Sequence, residues 1–193
     1  MALLRSPLRR ARLRLALALA AAAAVAAPLG GAAEVSREYQ VKAAFLYNFA
    51  QFVEWPARAF PTADAPLTIG ILGDDPFDGV LDEILRGEVL HGHRVRVRRA
   101  QHEEELADCQ LVFISQSEKP RLARIMARLA PRPVLTVSEV AGFAQQGGMV
   151  NFYREGSRVR FELNPAAARR EGLRFSSQLM SVGKIVESAP GAH

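Results

Sequence analysis

Gly147-Gly148-Met149-Val150-Asn151-Phe152-Tyr153-Arg154-Glu155-Gly156-Ser157-Arg158-Val159-Arg160-Phe161-Glu162-Leu163-Asn164 reads as two strands joined by a tight turn. In the second strand Val159, Phe161 and Leu163 alternate with Arg158, Arg160 and Glu162, so one face is apolar and the other charged. Glu155-Gly156 supplies a residue that tolerates positive φ in the turn. The double glycine at 147–148 lets the entering backbone bend or approach a neighbour closely.

Upstream of this hairpin, strand and helix patterns alternate. Leu67-Thr68-Ile69-Gly70-Ile71-Leu72 is a short strand with almost no polar alternation, as expected of a strand buried on both faces. A helix from Phe77 to Leu85 follows, then a strand from Arg94 to Arg99 nearer an edge, and a short helix opened by Glu103-Glu104-Glu105. Leu111 to Ser115 is the next buried strand, Lys119 to Leu129 the next helix, and Pro133 to Val137 another strand. Ser138-Glu139 caps a short helix that Phe143 closes. Beyond the hairpin, Asn164-Pro165 opens a helix that Gly172 stops, and Ser176-Ser177 start a last helix with Leu179, Val182 and Val186 inward. The repetition predicts an α/β fold: a central, mostly parallel sheet flanked by helices, with a C-terminal antiparallel hairpin at one edge.

The first helix, Glu38 to Glu54, places Val41, Phe45, Phe49 and Phe52 on one stripe flanked by Leu46 and Val53. Asn48 within that stripe either makes a buried hydrogen bond or points into a site. Trp55-Pro56 ends the helix, and Trp55 is either core or an interface anchor. Before it, residues 1–33 read as a secretory signal peptide: arginines at 5, 9, 10, 12 and 14, then an Ala/Leu run short for a membrane span, then Gly31-Ala32-Ala33 for cleavage. Residues 34–193 are then one domain.

Charge follows from that boundary. The chain has 25 basic and 20 acidic residues, and removing the five leader arginines leaves 20 against 20. The mature protein is near neutral, which takes away the electrostatic support for nucleic-acid binding. The lone Cys109 makes no intrachain disulfide and is either a buried thiol or an intermolecular bridge.

Motifs for chemistry are sparse. Asp74, Asp75 and Asp78 follow the first strand, where carboxylates bind cations, yet Asp-Asp-Pro-Phe is also how a helix begins. His91-Gly92-His93 lacks further ligands at a recognisable spacing. No nucleophile elbow, zinc helix or phosphate loop occurs, and no cofactor is implied. An exported hydrolase would need Ser176 or Ser177 beside His91, His93 or His102. The charged face of Arg158, Arg160 and Glu162 either forms a cross-strand ladder or borders a groove with Asn151 and Phe152.

Five segments carry a resemblance. Tyr39-Gln40-Val41-Lys42-Ala43-Ala44-Phe45-Leu46-Tyr47-Asn48-Phe49, Phe52-Val53-Glu54-Trp55-Pro56, Gly147-Gly148-Met149-Val150, Arg160-Phe161-Glu162-Leu163-Asn164 and Gly172-Leu173-Arg174-Phe175-Ser176-Ser177-Gln178-Leu179 together resemble the YfiR-like family of exported bacterial proteins. That resemblance implies a periplasmic, non-enzymatic α/β regulator. Its best understood relatives bind the sensor portion of an inner-membrane diguanylate cyclase, repress it, and are themselves sequestered by an outer-membrane lipoprotein. Cyclic-di-GMP output and biofilm formation follow. A homodimer is compatible with this reading. The alternative is a periplasmic small-ligand-binding module that signals to another membrane receptor, such as a histidine kinase. Phe45, Asn48, Trp55, Phe152, Arg160, Glu162 and Asn164 fall in the matching motifs and are the candidate contact residues. The single cysteine departs from disulfide-bonded relatives, so an intrachain redox bridge has no counterpart here.

Overall fold

The computed structural model describes residues 30–189; all but the last four residues of the expected signal peptide lie outside that range. The first helix, α1 (Gly30–Phe52), begins earlier than its apolar pattern and ends before Val53, which with Glu54 forms the two-residue strand β1. Then follow β2 (Leu67–Leu72), α2 (Val80–Leu85), β3 (Val89–Leu90), β4 (His93–Ala100), β5 (Leu111–Ile114), α3 (Leu122–Leu129) and β6 (Leu135–Ser138). The hairpin β7 (Val150–Glu155) and β8 (Arg158–Leu163) comes next, then α4 (Pro165–Arg170), β9 (Arg174–Phe175), α5 (Ser177–Val182) and β10 (Lys184–Ile185). Short 3-10 turns at Glu103–Leu106 and Gln116–Arg121 precede β5 and α3.

Eight strands form one sheet in the order β10-β8-β7-β6-β5-β2-β4-β3, and β1 pairs with β9 apart from it. β4, β2, β5, β6 and β7 run parallel, while β7–β8 and β3–β4 are antiparallel. Every residue of β2, β5 and β6 is buried: the apolar run of β5 and the nearly apolar one of β2 require it, while in β6 the buried Thr136 accepts from Met149 N and the buried Ser138 donates to Ile114 O. The hairpin register sets Val150 against Leu163, Phe152 against Phe161 and Glu155 against Arg158, with Gly156 in the turn at φ 60°. Beyond the hairpin, β10 adds a parallel strand to β8 and becomes the last strand at that end.

Two apolar layers sandwich the sheet. Ile69, Ile71, Phe113, Val137, Phe152 and Phe161 pack with α1 and α2; Leu72, Val112, Ile114 and Phe143 pack with α3. Each fully buried side chain of this size contributes about 1.5–3 kcal/mol. Gly70 carries no side chain because a Cβ there would stand 2.6 Å from Leu106 Cδ2 on the α3 side.

Three expectations are corrected. The inward stripe of α1 is turned by about one residue: Lys42, Ala43, Leu46, Phe49 and Ala50 are buried, Phe45 and Phe52 half-buried, and Val41 exposed. The short helix after Ser138 is instead a series of turns. Its backbone partners are taken by the buried Asn151 side chain, which accepts from Phe143 N and donates to Ser138 O and Val140 O. Gly148 closes that segment against the Phe143 ring, which a Cβ would meet at 2.3 Å. Val182, finally, faces outward at 66% exposure.

Candidate functional site

The two faces of the hairpin meet different surroundings. On the α1 side Phe152 and Phe161 form an aromatic cluster with Phe45 and Phe49, with ring centroids 5.0–6.1 Å apart. Tilted and edge-on contacts of this kind add to the gain from burial alone. Phe152 is buried and Phe45 half-buried at the margin of the cluster. Asn48, one turn further along α1, is half-buried, and its side chain has no hydrogen-bond partner among the described residues.

On the other face Asn151, Tyr153, Arg160 and Glu162 alternate with those rings. Arg160 is exposed and pairs with Glu155 at 3.3 Å. Glu162 is nearly buried and accepts from Gln145 Nε2 at 3.0 Å and from Lys184 Nζ at 2.8 Å. Those contacts hold the Lys184 ammonium above the usual lysine pKa, the hydrogen bond to Glu162 being the main cause. Asn164 is fully buried: its Oδ1 accepts from Ala167 N at 3.0 Å, capping α4, and its Nδ2 donates to Ala144 O and Ser188 Oγ.

Trp55 stands apart, at the C-terminal end of α1. It lines a cleft of about 470 Å³ with Phe52, Phe60, His91, His93 and Ser176, and donates from Nε1 to Ala50 O at 3.2 Å. Ser176 and the two histidines therefore share one cleft. The Ser176 hydroxyl accepts from Leu179 N as the cap of α5, while His91 and His93 bond to the carbonyls of Ala50 and Ala65. Neither histidine is hydrogen-bonded to the serine, so the arrangement lacks the contact a base needs to activate a nucleophile. Asp75 accepts from Phe77 N and Arg99, and Arg99 also holds Asp82, lowering the carboxyl pKa of Asp82. Among the described residues no group of three or more His, Cys, Asp and Glu is placed to hold a metal ion.

Sequence reasoning passed over two features. One is the buried Lys42, 3% exposed, whose ammonium bonds Glu38 at 2.5 Å and Glu139 at the end of β6, and lies 4.5 Å from the Tyr39 ring centre. Tyr39 donates to Glu139, and burial with that carboxylate nearby raises its phenol pKa above the ordinary range. The i,i+4 spacing of Glu38 and Lys42 was its visible signal. The other is an exposed apolar group, Met180, Val182 and Ile185, beside the end strand β10. Ser176 N bonds Phe52 O, and a Cβ at Gly183 would meet Phe161 at 2.6 Å. α5 therefore runs from the end of α1 to the aromatic cluster, and the group lies on its last turn and on β10.

Residues 39–184 match the family model described as YfiR/HmsC-like. The chain belongs to that family. The match opens at Tyr39, within the Lys42 network, and closes at Lys184, which holds Glu162. The YfiR/HmsC-like family is a regulatory, non-catalytic family of periplasmic proteins that act with membrane signalling proteins, and membership points to diguanylate cyclase signalling. No helix among the described residues is long and apolar enough to cross a membrane.

Proposed function

We propose that this YfiR/HmsC-like protein represses an inner-membrane diguanylate cyclase by binding its periplasmic sensor portion, and that an outer-membrane lipoprotein relieves the repression by competing for it. The observation that carries the reading is the exposed Met180, Val182 and Ile185 group beside the open edge of β10. Apolar side chains left in water next to an unpaired strand edge suit a partner that covers both.

Repression is then differential binding. A ligand shifts a two-state sensor only as far as its preference for one state, and taking it from mostly active to mostly inactive needs about 5.5 kcal/mol. Covering three side chains that are roughly half exposed supplies about 3 kcal/mol by apolar burial. Strand-edge hydrogen bonds along β10 are suited to provide the remainder.

The test is capture from solubilised inner membranes of the source organism, with the captured proteins identified by mass. Wild-type protein should retain a membrane protein with a periplasmic sensor and a cytoplasmic cyclase domain. The double variant Val182→Glu, Ile185→Glu should lose it while its thermal midpoint stays within about 2–4 °C, the shift of a 1 kcal/mol change in a domain of this size. Equal capture by both proteins, or capture of a kinase in place of a cyclase, overturns the proposal.

A further inference from the structure

On the α3 side a second cavity, of about 360 Å³, opens between α3 and α4. Leu122, Met126 and Leu129 of α3 and Met149 before β7 give it an apolar lining, and the small Ala127 and Ala167 leave the space unfilled. A cavity of 150 Å³ admits benzene, so this one accommodates a body of roughly ten carbons. Arg132, Arg170 and Glu171 are its charged lining residues, a balance of two cations to one anion.

Arg132 is the informative member. Its Nη1 donates to Leu106 O at 3.3 Å and to Ala107 O at 2.9 Å, which fixes the guanidinium plane. Its Nε is buried and has no acceptor. A buried donor without a partner is costly, and a guanidinium edge is the shape that two carboxylate oxygens match. Arg170, exposed on the last turn of α4, adds a second positive charge to the same lining.

We infer that the cavity between α3 and α4 is a binding site for a small carboxylic acid with an apolar body of roughly ten carbons, its carboxylate on Arg132 and Arg170 and its body against Leu122, Met126 and Met149. The site is separate from the β10 edge and does not depend on the repressor reading: the acid binds whether or not a cyclase does. Purely apolar guests lack a partner for the Arg132 Nε, and polyanions lack a second full set of cations.

Calorimetric titration of the purified protein with decanoate, below its micellar concentration and with decan-1-ol as control, tests this. Decanoate should bind with one-to-one stoichiometry and at least tenfold more tightly than the alcohol. Ala127→Trp fills the cavity from an exposed helix position and should abolish binding, and Arg170→Glu should weaken it at least fivefold. Retained thermal midpoints in both variants exclude unfolding as the cause. No saturable binding, equal affinity for the alcohol, or binding unaffected by either substitution overturns the proposal.

Discussion

A lysine ammonium carried into an apolar interior loses hydration that no single contact restores, and Lys42 is nonetheless 3% exposed. Glu38, Glu139 and the Tyr39 ring surround it, and Arg154 reaches Glu38 at 3.3 Å, so α1, the end of β6 and β7 share one charge network. Partners drawn from about a hundred residues away are invisible to a helical wheel, which is why hydrophobicity alone placed Val41 inward. The buried Cys109 thiol shows the same desolvation with the opposite chemistry: burial pushes it up to about 11 from an ordinary 9, with Arg98 and Arg132 opposing. The unfolded chain therefore ionises first as pH rises. Its stabilising contribution is complete below pH 9 and is lost as pH climbs toward 11. Urea melts of wild type and Cys109→Ala should show the wild-type advantage shrinking by about 2 kcal/mol between pH 8 and 10.5. A constant difference between the two proteins would contradict a buried, proton-bound thiol.

Among the elements, those with enough residues to show a period were legible. The nearly all-apolar β2, the all-apolar β5, the alternating β8 and the Asn164-Pro165 start of α4 stand where their patterns put them. The two-residue strands β1, β9 and β10 carry no period, and the turn segment after β6 is organised by the distant Asn151 side chain. Asn164 was readable as a cap, yet its larger role is to join three segments: α4, the Ala144 carbonyl and Ser188. Asn164→Ala should cost about 2–4 kcal/mol, from the lost cap and the two lost bonds of its buried amide to Ala144 O and Ser188 Oγ. The loss should appear as a lower urea midpoint at unchanged slope. Asn164→Asp keeps the acceptor for Ala167 N and should recover the capping part alone; equal loss in both variants would place all the energy on the Nδ2 contacts.

For the molecule as a whole, the division of the hairpin into an aromatic and a polar face was already written in its alternation. Which face is covered depends on α1, the 139–149 segment and β10, none of which the strand itself encodes. The candidate contact residues accordingly occupy three places: Phe45, Asn48 and Phe152 toward α1, Arg160, Glu162 and Asn164 on the opposite face, and Trp55 at its own cleft. Glu162 shows how fold and contact are to be separated. It ties the turn segment through Gln145 to β10 through Lys184 while only 8% exposed. Glu162→Arg removes both bonds and sets an unpaired cation at a position only 8% exposed, which should cost about 3 kcal/mol, as for an unpaired charge placed in a buried site. In a domain of this size that is a fall of roughly 6–12 °C in thermal midpoint. Capture of the membrane partner, measured well below the lowered midpoint, should then remain near wild type, whereas Val182→Glu should keep the midpoint and lose capture. If instead Glu162→Arg abolishes capture in fully folded protein, the docking surface lies on the polar face of the hairpin, and the β10 edge gives up its role.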